Sequence, residues 1–360
     1  LSADPHVARI CPSWYGRAQG LAARVAGLPY GRCIRSTRHL LDRIHRIGPD
    51  VVHLQCLNGH FCNLYLLLED LKQSGIPTVL TLHAEFPYTG GCSHAGPCSG
   101  WKEHCGVCVR TTPETTCLLG NRTAAAWRRL RRIYEGWNRL TVVGCSRWIA
   151  RRAAASSALS GIPVTVIANG IDTTVFRPRR QEAADLHRAL SIPPEERVVL
   201  FAAPAFSREK GFDLFLELAR SCRGLPLRFL AAGGRCTGGP DNLTVLGHVS
   251  GREHMAVLYT AADALVLCSR QDNFPTVCLE AAACGTPVVG FSVGGVAETI
   301  LPGLGTAVPP GDIPSMQRAL LELPSPLPAA VERARVLWDC QRMAEDYLAL
   351  YRAVTRQEVL

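Results

Sequence analysis

Ala262-Asp263-Ala264-Leu265-Val266-Leu267-Cys268-Ser269-Arg270-Gln271-Asp272-Asn273-Phe274-Pro275-Thr276-Val277-Cys278-Leu279-Glu280-Ala281 runs on through Gly285-Thr286-Pro287-Val288-Val289-Gly290. Ala264 to Cys268 is a short apolar run bounded by polar residues, the pattern of a strand buried on both faces. Pro275 has its φ pre-set for the first turn of a helix, and Gly285 stands where that helix would end. Pro287-Val288-Val289 then opens a second buried strand. The stretch reads as strand, loop, helix, strand, with the loop at the carboxyl end of a parallel strand, where α/β sheets bind ligands.

Two carboxylates mark this loop: Asp272 just before the helix, and Glu280 eight residues later within it. The amides of the first helical turn, near Thr276 and Val277, make an anion site that the helix dipole reinforces. A phosphate bound there would leave one carboxylate for a sugar hydroxyl and the other for a ribose. Ordinary helix chemistry is the competing account, since an acid near a helix start often serves only the dipole. The residues alone leave both readings open.

The spacing acid-x7-Glu, followed by Ala283-Cys284-Gly285-Thr286-Pro287-Val288-Val289 and Gly294-Gly295-Val296-Ala297-Glu298, resembles the donor-sugar signature of glycosyltransferase family 4. These are retaining nucleotide-sugar transferases of the GT-B fold. The resemblance implies that Asp272 contacts the donor sugar. It also implies that the amides around Asn273, Phe274, Pro275 and Thr276 take the diphosphate and that Glu280 holds the ribose. The first acid is Asp rather than the commoner Glu, and Asp-Asn-Phe-Pro is similar to the colanic-acid-type branch. The likeness covers roughly residues 40 to 350.

Working outward, strands alternate with helices in both halves of a 360-residue chain, which argues an α/β protein of two doubly wound, Rossmann-like domains. The GT-B resemblance implies that they face one another across a cleft. The expected divisions are residues 1–168 as an acceptor-side domain, 169–335 as a nucleotide-sugar domain, and 336–360 as a helix returning to the first domain. Asn169-Gly170-Ile171-Asp172 through Phe176-Arg177-Pro178 resembles the family's connector. Residues 1 to 35 show no opening strand and glycine-rich turn, and Leu1 is not an initiator methionine, so a truncated start is expected.

In the first half the elements expected are a helix from Arg35 to Ile47, a strand from Asp50 to Leu54, an apolar helix to Leu71, and a strand from Pro77 to His83. His83 ends that strand. A lone histidine is more often structural than catalytic, but the family carries a donor-sugar histidine here, which the resemblance assigns to His83. The acid that usually follows is replaced by Ala84, with Glu85 one place on.

A long loop, 90–108, holds Cys92, Cys98, Cys105 and Cys108 in the spacing Cys-x5-Cys-x6-Cys-x2-Cys. Four thiolates can close a tetrahedral zinc site, and a loop this long needs something to order it. Structural zinc is the preferred reading. Two disulfides, free thiols or an iron–sulfur cluster share the remaining weight, with His94 and His104 as substitute ligands. Most of the other cysteines lie in apolar strings and read as small buried hydrophobes.

Residues 121 to 137 read as a basic helix in which Arg122, Arg128, Arg129, Arg131 and Arg132 interleave with Trp127, Leu130, Ile133, Tyr134 and Trp137. Such a helix suits an anionic membrane surface. A solvated face with snorkelling arginines is the slightly favoured alternative. Beyond it lie a strand from Leu140 to Cys145, a helix capped by Ser146, and a strand from Pro163 to Ala168.

The second half opens with a helix from Glu182 to Leu190 and a strand from Val198 to Ala203. In the loop Phe206-Ser207-Arg208-Glu209-Lys210-Gly211, the family resemblance implies a diphosphate-neutralising lysine at Lys210. The usual arginine position holds Ala205, which leaves Arg208 as its replacement or Lys210 alone. His248, after the strand Leu243 to Leu246, is a base-pocket candidate on the same resemblance. A helix from 312 to 322 and a single closing helix from Ala329 to Ala353 complete the chain.

Composition narrows the field. The chain is 47% hydrophobic and 19% charged, which describes a folded protein rather than a disordered one. No apolar run reaches 18 residues and no charged-then-apolar leader appears, so a cytoplasmic protein, peripheral at most at the inner membrane face, is expected. The net charge of +9 suits nucleotide diphosphates, anionic lipids or nucleic acid. The leading function is a retaining hexosyltransferase that moves a sugar from a UDP- or GDP-sugar to a saccharide or lipid-linked acceptor, with no cofactor needed for the chemistry. A GT-B nucleotide-sugar epimerase or hydrolase is the alternative. A nucleic-acid-binding module ranks last, because it leaves the donor signature unexplained.

Overall fold

In the computed structural model the structure describes residues 7–26, 28–106, 108 and 120–356; Leu1 lies outside them. The chain divides into two compact units, residues 1–167 with 347–360, and residues 168–346.

The first unit holds a four-stranded parallel sheet in the order β1 (Val52–Leu54), β2 (Thr78–Leu82), β3 (Leu140–Gly144), β4 (Val164–Val166). Around it lie α1 (Ser13–Ala26), α2 (Ile34–Ile47), α3 (Leu64–Ser74), α4 (Thr123–Tyr134) and α5 (Arg147–Ala154). Local capping sets the starts: the Asn63 side chain accepts from Leu66 N, and the Ser146 hydroxyl accepts from Ile149 N. The core is apolar and tight, with Leu64, Leu67, Leu68, Leu71, Val79, Leu82, Trp127 and Val142 all buried. α1 was not expected from the sequence.

Burial decides the reading of the basic helix. Trp127, Leu130, Ile133 and Tyr134 of α4 are turned into the core of the unit, so its apolar face is already covered. Arg128, Arg131 and Arg132 point outward, and Arg129 is held by Glu69 through two 3.0 Å bonds. The solvated-face reading fits, and the membrane reading loses its apolar half. No described helix is long and apolar enough to cross a membrane.

The second unit holds six parallel strands in the order β10 (Gly305–Val308), β9 (Val288–Phe291), β8 (Ala264–Leu267), β5 (Arg197–Ala202), β6 (Leu227–Ala232), β7 (Leu243–Gly247). Renumbered within the unit this is 3-2-1-4-5-6, the Rossmann order, and its direction reverses between β5 and β8. The helices are α6 (Arg180–Ala189), α7 (Phe212–Ser221), α8 (Arg252–Ala261), α9 (Thr276–Ala283), α10 (Ile313–Glu322), α11 (Pro328–Leu337) and α12 (Cys340–Arg356). α12 spans the division: its residues from Tyr347 on count with the first unit.

Two expectations are corrected. Pro275 stands before α9 rather than in its first turn; its ψ of 114° is extended, and the helix begins at Thr276. The single closing helix is two, α11 and α12, broken at Trp338-Asp339. There the backbone leaves the helical path to bond Ile171, with Ile171 N donating to Trp338 O and Cys340 N donating to Ile171 O, both 2.8 Å. The Asp339 carboxylate accepts from Thr173 and caps the new helix at Gln341 N. A long-range bridge thus overrides a helical pattern that is continuous in sequence.

Candidate functional site

The reversal of strand order between β5 and β8 leaves a crevice at their carboxyl ends, and a hollow of about 270 Å³ occupies it. Its wall includes Ala203 and Pro204 after β5, Lys210, then Ser269, Asp272, Phe274 and Pro275 after β8, and Thr276 and Val277 at the start of α9. Lys210 Nζ lies 2.8 Å from Asp272 Oδ2, with the lysine about 41% and the aspartate 14% exposed. No side chain caps α9, and in its first turn Cys278 N donates to Pro275 O at 3.2 Å. A cation, an uncapped helix start and a carboxylate therefore share one recess, a combination suited to a phosphate that carries a polyhydroxylated group.

Backbone contacts hold this recess in shape. Gly211 has φ of +72°, and a Cβ there would stand 1.8 Å from Cys268 O. Gly294, with φ of +56°, meets Asp272 O at the same distance, while Gly295 N donates to Asp272 O at 3.0 Å. Arg270 ties the two loops together. Its guanidinium grips Asp213 in two 2.7 Å bonds and donates to Arg208 O, and its own N–H donates to Glu209 O. Arg270 also pulls the Asp213 carboxyl below its ordinary range. This arginine was quoted in the deciding stretch but given no role there.

Glu280 does not line the hollow. Its carboxylate accepts from Tyr259 OH at 2.8 Å and is linked to Thr276, which does line it. Burial raises its pKa, against the pull of Tyr259, Arg252 and Thr276. Asn273 is buried beside the hollow. Arg208 is exposed and absent from the lining; its backbone rather than its side chain is engaged by Arg270. His248 is exposed after the edge strand β7, and the hollow does not include it.

In the first unit His83 follows β2, and its Nε2 lies 3.1 Å from Gln55 Oε1. Burial lowers its pKa, so the ring is neutral near pH 7. Behind it stands a group the sequence reading did not single out. His53 Nε2 lies 2.7 Å from Thr81 Oγ1, and His53 Nδ1 lies 2.6 Å from Tyr351 OH. Thr81 Oγ1 in turn lies 2.8 Å from Tyr347 OH. The available signal was a histidine inside the apolar run Val51-Val52-His53-Leu54, where a polar ring must find partners.

The cysteine loop is organised by a residue that had seemed only displaced. Glu85 is fully buried and bonds Arg152 Nε at 2.6 Å, Tyr88 OH at 2.8 Å and Ala95 N at 2.6 Å. Arg152 lies over the rings of Trp101 and Trp148. Ser156 Oγ donates to Trp101 O at 3.0 Å. The four thiols make no closed donor set: among the described residues no three His, Cys, Asp or Glu side chains converge as metal ligands. Cys98 is exposed, while Cys105, pushed up to about 12 chiefly by burial, accepts from Gly90 N at 3.2 Å. Cys92, Cys98 and Cys108 all lie close enough to Cys105 to raise its pKa further.

A larger hollow of about 560 Å³ lies along α3 and α4, lined by Glu69, Lys72, Gln73, Arg129, Arg132 and Ile133. Its cations are largely engaged, Arg129 by Glu69 and Lys72 by Glu135 O, and of the residues singled out in the sequence only those of the basic helix fall in it.

Fold and crevice together define a class: two Rossmann-like α/β domains of the GT-B glycosyltransferase type. Residues 4–175 match the family model Glycosyltransferase Family 4, and residues 182–325 match Glycosyl transferases group 1. The chain thus carries these two domains in succession. Among similar proteins is the D-inositol 3-phosphate glycosyltransferase of Mycobacterium avium (strain 104), 32% identical over 219 residues, covering 54% of this chain and 50% of that protein. Its counterpart in Mycobacterium bovis (strain BCG / Pasteur 1173P2) is 35% identical over 161 residues, or 40% of this chain and 32% of the relative. The chain spans about half the length, or less, of these curated relatives. Among solved structures, sucrose-phosphate synthase from Thermosynechococcus elongatus superposes with a TM-score of 0.63 at 20% identity, over 89% of this chain and 78% of that one. Anabaena HepE in complex with UDP-glucose gives 0.60 at 18% identity, over 90% and 84%.

Proposed function

We propose that the protein is a retaining glycosyltransferase that moves a hexose from a nucleotide-diphosphate sugar to a saccharide or lipid-linked saccharide. One observation carries this reading: Lys210, Asp272 and the uncapped start of α9 share the hollow at the switch point between β5 and β8. Lys210 and the amides after Asn273 would hold the diphosphate, with Phe274, Pro275 and Thr276 shaping its seat. Glu280 would take the ribose, while Asp272 and His83 orient the sugar. Arg208 and His248 have less support, since neither lines the hollow.

In the reaction the C1–O bond to the diphosphate breaks, and the acceptor oxygen bonds C1 on the same face. The departing phosphate oxygen takes the acceptor's proton, so no dedicated base is needed. Lys210 offsets the charge that grows on the leaving group, the kind of preorganised electrostatics that is often the largest catalytic contribution. The HepE complex with UDP-glucose supports a uridine donor by fold likeness; a GDP-sugar is the other candidate.

Asp-Asn-Phe-Pro and the cysteine spacing support the colanic-acid-type branch. Zinc on Cys92, Cys98, Cys105 and Cys108 rests on their spacing, with Cys92, Cys98 and Cys108 all near Cys105. Elemental analysis of the purified protein decides it: one zinc per chain sustains the reading, and none in a folded, active preparation removes it.

The function is tested by thermal shift with UDP-, GDP- and ADP-sugars, repeated with Glu280→Ala, because a ligand bound to the folded state raises its melting temperature. A shift with one nucleotide class that the variant loses is the expected result. No shift with any of them would sink the assignment. Donor turnover without acceptor would instead favour an epimerase or hydrolase.

A further inference from the structure

Thr276 and Glu280 stand four residues apart on α9, a spacing that puts two side chains on one helical face. Thr276 is exposed and lines the hollow; Glu280 is half-buried and does not. The Glu280 carboxylate is met by two hydroxyls, Tyr259 OH at 2.8 Å and that of Thr276. Tyr259 is fully buried beside Phe176, and Thr286 holds its carbonyl. Burial pushes its phenol well above the ordinary range, so it stays protonated and donates. A carboxylate only accepts, so the Thr276 hydroxyl donates to it as well. The Thr276 oxygen and the carboxylate's remaining lone pairs are then left as acceptors. The backbone N–H groups of Thr276 and Val277 can only donate. One turn of helix thus offers donors from its backbone, suited to phosphate, and acceptors from its side chains, suited to hydroxyls.

We propose that Thr276 is a specificity-determining residue whose hydroxyl, aimed by Glu280, accepts a hydrogen bond from a ribose hydroxyl of the donor. Tyr259 acts through Glu280 as a positioning residue. A subsite made of acceptors favours a ribonucleotide, and disfavours a deoxynucleotide or a ribose that carries a phosphate. The ribose contact rests on the glycosyltransferase reading. The chain Tyr259–Glu280–Thr276 does not, which keeps the two separable.

The first measurement is ¹³C NMR of the Glu280 carboxyl in intact, nucleotide-free protein labelled with ¹³C-glutamate, the signal being assigned with Glu280→Gln. Glu280 is expected to be ionised at pH 7. Thr276→Val and Tyr259→Phe each remove a donor and should raise its pKa, whereas Thr276→Ser should not. A carboxyl still protonated at pH 7, or one that Thr276→Val leaves unmoved, overturns the proposal. The second is calorimetry with UDP, GDP and their 2′- and 3′-deoxy forms. Wild type should bind the ribonucleotide about three- to thirtyfold more tightly than either deoxy form, the worth of a hydrogen bond. Thr276→Val should weaken the ribonucleotide to a similar extent yet leave one deoxy form unaffected, and Thr276→Ser should behave as wild type. Equal losses for all three nucleotides, or none, would count against the ribose contact. If the wild type binds none of them while the Glu280 pKa shifts as expected, the transferase reading fails and the hydrogen-bonded chain stands.

Discussion

Lys210 Nζ and Asp272 Oδ2, 62 residues apart in sequence, are 2.8 Å apart in the crevice of the second unit. The two groups proposed for the donor are thus partners of each other before any donor is present. On the proposed reading an arriving diphosphate would compete with the carboxylate for the lysine. Asp272→Asn should therefore tighten binding of a free nucleoside diphosphate by about two- to fivefold, the worth of a partly exposed pair, while impairing transfer. Lys210→Ala should weaken both, with kcat down by about 10²–10³. Calorimetry with UDP and GDP checks this, and weaker binding by Asp272→Asn would contradict it.

Glu280 is expected to be a site residue held at a cost in stability. A buried carboxyl with a raised pKa keeps its proton more readily folded than unfolded. The folded state therefore loses stability as pH rises from the ordinary 4.5 through the folded value. Glu280→Gln, which keeps a partner for Tyr259, should melt about 2–4 °C higher at pH 7, with the gain shrinking towards pH 4. It should also lose its thermal shift with nucleotide sugars. A lower melting point at pH 7 would refute the burial argument.

His53 gives the opposite pH signature to the usual stabilised base. Burial, helped by neighbouring His83, holds its pKa at about 4 against the ordinary 6.5. The unfolded chain thus takes up a proton that the folded one refuses. Stability present above pH 6.5 should fall as the pH drops towards 4. His53→Gln should flatten that part of a melting-temperature profile recorded between pH 4 and 8. A profile of unchanged slope would count against His53.

Gly211 and Gly294 are required by close backbone approach as well as by positive φ. An alanine Cβ at either would stand 1.8 Å from a carbonyl oxygen, Cys268 O or Asp272 O. Each Gly→Ala substitution should cost about 2 kcal/mol or more, read from urea midpoints. Gly75, with φ of +68° and open space around its Cβ, is the control and should cost less.

Glu85 carries the order of the cysteine loop. It is fully buried against Arg152, so Glu85→Ala leaves that guanidinium without its carboxylate and should destabilise by about 3–5 kcal/mol. A chelator should do less to the melting temperature than this one substitution. The reverse ranking would restore a metal as the organiser.

Much of this was legible from short-range pattern. The runs at 264–268 and 288–290, the proline and glycine bracketing α9, and the cap at Ser146 are local signals, and they lead to parallel sheets with Lys210 and Asp272 at strand ends. What escaped depends on distant partners. β10 (Gly305-Thr306-Ala307-Val308) has little apolar character of its own and exists because it pairs with β9. The break at Asp339 is set by Ile171, and the roles of Glu85 and His53 are set by Arg152, Thr81 and Tyr351. Sequence also cannot say that Arg208 and His248 are exposed and outside the lining of the hollow.

The stapling of loop 205–211 to loop 268–273 by Arg270 bears on any attempt to redirect the proposed transferase. Walls built beforehand demand little chain ordering when a ligand enters. They also tolerate little rewriting, because Arg270, Asp213, Gly211 and Gly294 constrain one another through guanidinium forks and backbone crossings. A mutant library aimed at new sugars should leave those four untouched. Its diversity belongs at Pro204, whose exposed side chain lines the recess without bracing it.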